Sequence, residues 1–184
     1  MKSKRSSHQL SRRFLGNDRA IAAVEFALML PLMLFVFVGV AQVGDAVAIS
    51  RKVTITTRIV TDLVTQYATV TGTTLTTVLG ASSAVIAPYS ANNLIITVSE
   101  ISTNSTGAAT VTWSSSLNGT ALTKGAKFTL PTALDQDNIS LIYGQVTYNF
   151  TPVLGYKIIG TIPITDQIYM SPRLTTSIAC TTGC

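Results

Sequence analysis

Apolar residues dominate a run of 23 residues near the start of the chain, from Ile21 to Val43. The run contains one charged residue, Glu25, and one proline, Pro31. As an α-helix it would be about 34 Å long, which is enough to cross the ~30 Å hydrocarbon core of a bilayer. The pattern therefore predicts a transmembrane helix over residues 21–43.

After this run, apolar and polar residues alternate with the spacing of three and four that is typical of one helix face. The residues predicted to point inward are Ile49, Val53, Thr56, Val60, Leu63, Val64 and Tyr67, and the polar residues around them are Arg51, Lys52, Arg58, Asp62 and Gln66. This pattern predicts an amphipathic helix extension over residues 44–70. We expect its inward face to cover the core of the domain that follows.

Residues 71–184 are predicted to form an α+β domain. A short second helix is expected from Thr74 to about Ala87, where Pro88 stops it. Segments rich in β-branched and aromatic residues then predict short antiparallel strands at 94–99, 109–114, 139–150, 165–170 and 175–179. The turn signals between them are Asn104 to Gly107, Asn118-Gly119, Lys124-Gly125 and Asp135 to Asn138.

Single residues of this domain also carry predictions. Gly144 interrupts the longest predicted strand and is interpreted as a β-bulge. Trp113, Tyr148 and Phe150 are expected in the core or on a sheet face. The fold class that follows is a long N-terminal transmembrane helix continuing into an amphipathic helix, followed by a small antiparallel β-sheet domain.

The charge of the chain is concentrated in its first residues. Six basic residues and one acidic residue lie in residues 1–19, which accounts for the whole formal net charge of +5. A basic segment directly before an apolar run is the pattern that keeps an N-terminus in the cytoplasm. We therefore expect a basic cytoplasmic leader over residues 1–20 and an exported remainder. The neutral remainder has no basic face for phosphates, so no nucleic-acid partner is predicted.

Residue types that support catalysis are scarce in the domain. The one histidine of the chain is His8 in the basic leader, so the domain has no imidazole for a nucleophile–base pair or for zinc. The tetrapeptide from Asp135 to Asn138 is interpreted as a turn, because it lacks the glycine and the distal glutamate of a calcium loop. The sequence therefore predicts no enzyme, no cofactor and no metal site.

Cys180 and Cys184 are the two cysteines of the chain. In an oxidising compartment this spacing allows a small disulfide ring, and free or intermolecular thiols are the alternatives. We expect the disulfide.

A family resemblance is carried by the stretch AAVEFALMLPLMLFVFVGVAQVGDA, which follows the basic leader. With its Glu25-Phe26 pair and Pro31 it resembles the TadE-like proteins, pseudopilins or minor pilins of the tight-adherence (Flp, type IVb) pilus. The resemblance implies a structural, pilin-like role in pilus assembly. The implied partners are the major Flp pilin, other pseudopilins, the prepilin peptidase and the inner-membrane pilus platform. The implied location is the bacterial inner membrane, with the domain in the periplasm or incorporated in an extracellular pilus.

The resemblance also assigns roles to residues. It implies leader cleavage between Ala20 and Ile21, although Ala20 stands where the family usually has glycine. Glu25 would then be the fifth residue of the mature chain and could neutralise the new α-amine of a neighbouring subunit. From physical reasoning alone, a Glu25 side chain that reaches the membrane interface by itself is an equal alternative.

Two other kinds of protein fit the same sequence. One is a permanently anchored periplasmic binding or adhesion module with an uncleaved signal-anchor. The other is an exported enzyme or lectin whose signal is cleaved near residues 46–48, where Ala-Val-Ala resembles a signal peptidase site.

Overall fold

The computed structural model describes residues 18–153, 157 and 160–184. Residues 1–17 of the predicted leader lie outside this part of the chain. The described residues begin with helix α1, Asp18–Thr65, which contains Pro31. The chain divides into two compact units, Met1–Gly44 and Asp45–Cys184, and α1 contributes to both.

In the first unit, the apolar residues of α1 are exposed nearly all round. Phe26, Leu28 and Phe37 are typical of them, with more than half of each side chain accessible. Among the described residues, α1 is the one helix long and apolar enough to span a membrane. An apolar surface of this kind is stable in lipid and not in water, so α1 suggests membrane anchoring.

In its described residues, the second unit contains the end of α1, a short α-helix and seven strands. Helix α2 is Gly72–Ser83. The strands are β1 Thr69–Val70, β2 Leu94–Thr103, β3 Ala109–Leu117, β4 Lys127–Phe128, β5 Ser140–Phe150, β6 Ile162–Met170 and β7 Ala179–Cys180. This arrangement confirms the predicted α+β class.

The predicted second helix is confirmed but begins two residues earlier than expected. The Thr71 side-chain oxygen accepts a hydrogen bond of 3.1 Å from the backbone N–H of Thr74, which caps the helix before Gly72. After Ser83 the chain tightens into a 3₁₀ turn, Ala84–Ile86, before Pro88. Pro88 allowed the end of this helical segment to be predicted from the sequence. The beginning was missed, because the capping role of Thr71 was not recognised.

Five strands form an antiparallel sheet in the order β4-β3-β2-β5-β6. Its centre is β2, which pairs with β3 on one side and with β5 on the other. A separate two-stranded parallel pair joins β1 to β7, with Thr69 opposite Ala179 and Val70 opposite Cys180. The predicted strand at 175–179 is therefore wrong apart from its last residue, because residues 175–178 cross the domain without pairing in either sheet.

The predicted bulge at Gly144 is wrong. The register runs through Gly144 without interruption, opposite Val98 on β2 and Ile168 on β6. The register shift of this sheet lies instead in β2, between Glu100 and Ile101. Glycine is required at 144 because a Cβ atom there would overlap the side-chain oxygen of Thr61 on α1.

The core lies between the second-unit part of α1, helix α2 and one face of the sheet. It includes Ile49, Val53, Val60 and Val64 of α1, together with Trp113 and Tyr148 from the strands, as predicted. Phe150 is partly buried against the same cluster. The prediction was wrong for Leu63 and Tyr67, which are 37% and 38% exposed.

Threonines take the place of aliphatic residues on the inward face of α1. Thr56, Thr57, Thr61 and Thr65 are fully buried. Their hydroxyls donate to carbonyls of the preceding helical turn, for example Thr57 to Val53 at 2.8 Å and Thr61 to Thr57 at 2.7 Å. These bonds satisfy the hydroxyls inside the core, so the short side chains allow the helix to approach the sheet closely.

Candidate functional site

The residues singled out at the beginning of the apolar run lie on one continuous stretch of α1. Ile21 and Glu25 are separated by one helical turn and are therefore neighbours on the helix surface. Both are exposed, as is Phe26. Ala20 lies within α1, and its side chain is not among those described.

Pro31 lies inside α1 and the helix continues on both sides of it. Because proline has no amide hydrogen, the carbonyl of Ala27 loses its normal helical partner. This opens the hydrogen-bond ladder one turn after Glu25. Proline inside a helix is a common cause of a bend, so the turn between Ala27 and Pro31 is a candidate hinge of α1.

Glu25 is the residue with unusual chemistry in this stretch. A carboxylate in a membrane helix is costly, by up to about 2.5–3.5 kcal/mol at the helix centre, so it is normally paired. Among residues 18–153, 157 and 160–184, the salt bridge found is that between Asp62 and Arg173, and it does not involve Glu25. An exposed acidic group at this position is therefore available to a positive group on another molecule.

Comparison with known families identifies this stretch. Residues 20–59 match the family model described as TadE-like protein. The matched segment begins at Ala20, contains Glu25, Phe26 and Pro31, and ends at Ile59 within the second unit. The resemblance to TadE-like proteins is confirmed over these residues, and the match supports a protein associated with the tight-adherence pilus. No curated protein and no solved structure matches the chain.

Outside the TadE-like segment, the C-terminal residues are held to the domain by side-chain and backbone hydrogen bonds. The Ile178 side chain is buried in the core. Its N–H donates to Glu100 Oε1 at 2.8 Å, and its carbonyl accepts from Trp113 Nε1 at 2.6 Å. Glu100 and Trp113 are directly opposite each other on β2 and β3. Two neighbouring strands therefore hold both backbone groups of one residue.

Residues 179–184 continue this attachment. The N–H of Thr181 donates to the Val70 carbonyl at 3.0 Å, and the N–H of Gly72 donates to the Thr182 carbonyl at 2.8 Å. Cys180 and Cys184 are joined by a disulfide. We call residues 178–184 the C-terminal strap, because they fasten the sheet to the segment that connects α1 with α2.

Glu100 was not identified from the sequence. It is 1% exposed, and its Oε2 has no hydrogen-bond partner among the described residues. Burial raises the pKa of this carboxyl above 4.5, against the lowering effect of the Ile178 N–H. The sequence nevertheless contained a signal for this buried acid. Glu100 lies two residues after Val98 on β2 and therefore on the same, inward-facing side of the strand. A buried carboxyl there needs a hydrogen-bond donor from elsewhere in the fold.

Among the described residues, no group of three or more His, Cys, Asp or Glu side chains could hold a metal ion. Asp135 and Asp137 lie in the loop before β5 and approach Gly107, consistent with the predicted turn. A surface cavity of about 470 Å³ between this loop and residues 171–176 is lined by uncharged side chains.

Proposed function

We propose that this chain is a minor pilin or pseudopilin needed for assembly of tight-adherence (Flp-type) pili, with a structural and non-catalytic role. The observation that carries the proposal is the TadE-like match over residues 20–59, which covers the apolar part of α1 and its single carboxylate. The exposed apolar surface of this helix supports membrane anchoring before assembly. The basic residues before it favour a cytoplasmic N-terminus and a periplasmic domain.

The proposed chemistry depends on leader removal between Ala20 and Ile21 by the prepilin peptidase. Cleavage creates a positively charged α-amine on Ile21 at membrane depth. The Glu25 carboxylate of a neighbouring subunit pairs with this amine, so two charges that are each costly in lipid form one neutral site. The neighbours proposed are the major Flp pilin and other pseudopilins, held at the inner-membrane platform.

A test of this chemistry combines the mature N-terminus with variants at Glu25. Mass spectrometry of the protein from cells with active peptidase is expected to give Ile21 as the first residue. Glu25→Ala and Glu25→Gln are expected to insert and fold normally and to impair pilus assembly, because neither can neutralise an α-amine. The matched control is Met29→Ala, which shortens another exposed side chain of the same apolar segment without changing charge.

A specific feature favours a second candidate. Because Ala20 replaces the glycine that the peptidase normally recognises, a permanently anchored periplasmic binding or adhesion module is the alternative. An intact Met1 would support that alternative and contradict leader removal, and normal piliation of Glu25→Ala would contradict the role proposed for Glu25.

A further inference from the structure

The surface cavity between the loop before β5 and the segment after β6 has polar groups on both of its walls. Its volume of about 470 Å³ lies in the range of small-molecule sites. The loop wall includes Gln136 and Asn138. The opposite wall includes Ser171, Thr175 and Thr176. The described residues that line the cavity carry no charged side chain, so the cavity fits an uncharged ligand.

Both walls are fixed by the end of the central strand β2. The Thr103 hydroxyl donates to the Gln136 carbonyl at 2.6 Å and accepts from the Ile139 N–H at 2.9 Å, which holds the loop wall. The other wall leads into Ile178, whose N–H donates to Glu100 Oε1 at 2.8 Å. Glu100 and Thr103 lie on the same strand. The cavity is therefore formed before a ligand arrives, which lowers the cost of binding.

Several polar side chains of the walls are not used by the fold. Within the part of the chain that the structure describes, no hydrogen bond is made by the side chains of Gln136, Asn138, Ser171 and Thr176. Each amide and each hydroxyl can both donate and accept a hydrogen bond. The walls therefore offer mixed donors and acceptors, which is the pattern that complements the hydroxyl groups of a ligand.

The floor of the cavity contains an incompletely paired network. Ser140 lines the cavity, and its Oγ is 2.8 Å from Ser102 Oγ, which is itself 2.8 Å from Thr112 Oγ1. Burial raises the pKa of the neighbouring Glu100 carboxyl, and the Ser140 hydroxyl is among the groups that act against this rise. Glu100 Oε2 is buried without a partner among the described residues. A ligand hydroxyl that donates to Ser140 would let the Ser140 proton turn to Oε2 and complete the network.

The charged residues next to the walls are directed elsewhere. Asp135 and Asp137 approach Gly107 in the turn between β2 and β3. Arg173 forms a salt bridge with Asp62 on α1. An ionic ligand would therefore find no counter-charge among the described lining residues, and its desolvation would be uncompensated.

We propose that this cavity binds a neutral sugar. A sugar ring combines hydroxyl groups, which both donate and accept, with a surface of C–H groups. The amides and hydroxyls of the walls match the hydroxyl groups. The partly exposed Leu134 and Pro172, one on each wall, match the C–H surface. The site involves neither Ile21 nor Glu25, so sugar binding and the proposed pilus function stand or fall separately.

A peptide also carries donors and acceptors, but the position of the walls favours the sugar. Extended peptides are commonly bound along the free edge of a strand through backbone groups. The two walls of this cavity lie outside the strands and present side-chain amides and hydroxyls. A peptide is therefore kept as a contrary outcome of the test.

Solution NMR of the isotope-labelled full chain tests the proposal, in micelles of lauryldimethylamine oxide because this detergent contains no sugar. The probes are D-glucose, D-galactose, D-mannose and N-acetyl-D-glucosamine, added singly. At least one is expected to shift the backbone amide signals of Gln136, Ser140 and Thr176, with half-saturation on the order of 1–10 mM for a ligand of this size. The control probes are D-glucuronate and D-glucosamine, which add a charge to the same ring and are expected to bind at least tenfold more weakly.

Variants on each wall locate the binding. Thr176→Val and Gln136→Met remove polar groups without a large change of volume, and each is expected to raise the half-saturation concentration about threefold to tenfold. The matched control is Thr120→Val, the same substitution at an exposed position outside the cavity, which is expected to change nothing.

Four results would overturn the proposal. They are no saturable shift with any of the four neutral sugars, equal binding of the charged sugars, unchanged half-saturation in both wall variants, and a shift of the same signals by acetyl-trialanine amide but by no sugar.

Discussion

The close approach of α1 to the sheet allows a quantitative test at Gly144. In Gly144→Ala the new Cβ atom would overlap Thr61 Oγ1 and lie 3.1 Å from Thr61 Cβ. Overpacking a filled core costs about 1–3 kcal/mol, whereas replacing glycine in a strand by alanine returns roughly 0.5–1 kcal/mol. The overlap dominates, so we expect a net loss of about 1–2 kcal/mol.

The single tryptophan makes this loss measurable in the full chain in detergent micelles. Trp113 is buried in the core of the second unit, so its fluorescence follows the unfolding of that unit alone. A loss of 1–2 kcal/mol in a domain of this size lowers the Tm by roughly 3–8 °C. The matched control is Gly80→Ala, because a Cβ at this helical glycine meets open space and is expected to raise the Tm slightly.

A double-mutant cycle isolates the contact. Thr61→Ala removes the overlapping oxygen, so Gly144→Ala should cost about 1 kcal/mol less in that background than in the native chain. The reasoning is refuted if Gly144→Ala leaves the Tm unchanged or raises it, or if the two substitutions are additive.

Two further predictions concern the C-terminal strap. The pKa of the Glu100 carboxyl is higher in the folded chain than in the unfolded chain. As pH rises through 4.5, Glu100 therefore ionises in the unfolded chain before it ionises in the folded chain. The free energy of unfolding falls over this range, until pH reaches the folded pKa. Glu100→Gln keeps an oxygen for the Ile178 N–H and does not ionise, so its Tm should rise relative to the native chain between pH 4 and pH 7; a constant difference would contradict this. Replacing Cys180 and Cys184 by serine should cost at most about 2 kcal/mol, since the ring is short. Hydrogen exchange should accelerate at the Thr181 amide and stay unchanged in the centre of β2, and uniform acceleration would show that the disulfide supports the whole domain.

Local patterns were sufficient for the elements that form by local rules. The apolar run and the spacing of three and four after it predicted α1, and four of the five β-branched segments predicted strands that the structure contains. The TadE-like resemblance was also local, because the matched residues 20–59 are contiguous. Each of these features could be predicted because it is determined by residues that are close together in the sequence.

The wrong predictions all depend on contacts between distant residues. Gly144 is glycine because of Thr61, which lies on another element, and no strand pattern contains that information. Residues 175–178 have strand-forming composition, but both edges of the central strands are already paired, so they cross the domain instead. Leu63 has the three-and-four spacing of an inward-facing residue. In the structure, however, the threonines of α1 are buried and Leu63 is partly exposed to solvent.

The pairing of β1 with β7 joins residues that are far apart in the chain, Thr69 with Ala179 and Val70 with Cys180. Such pairs raise the contact order of the domain and delay the last step of its folding. During synthesis, the hydrogen bond from Trp113 Nε1 to the Ile178 carbonyl therefore forms only after residue 178 has been made. We therefore expect a truncation before Ile178 to leave the core face around Trp113 uncovered and to be degraded in the cell as an unfolded protein.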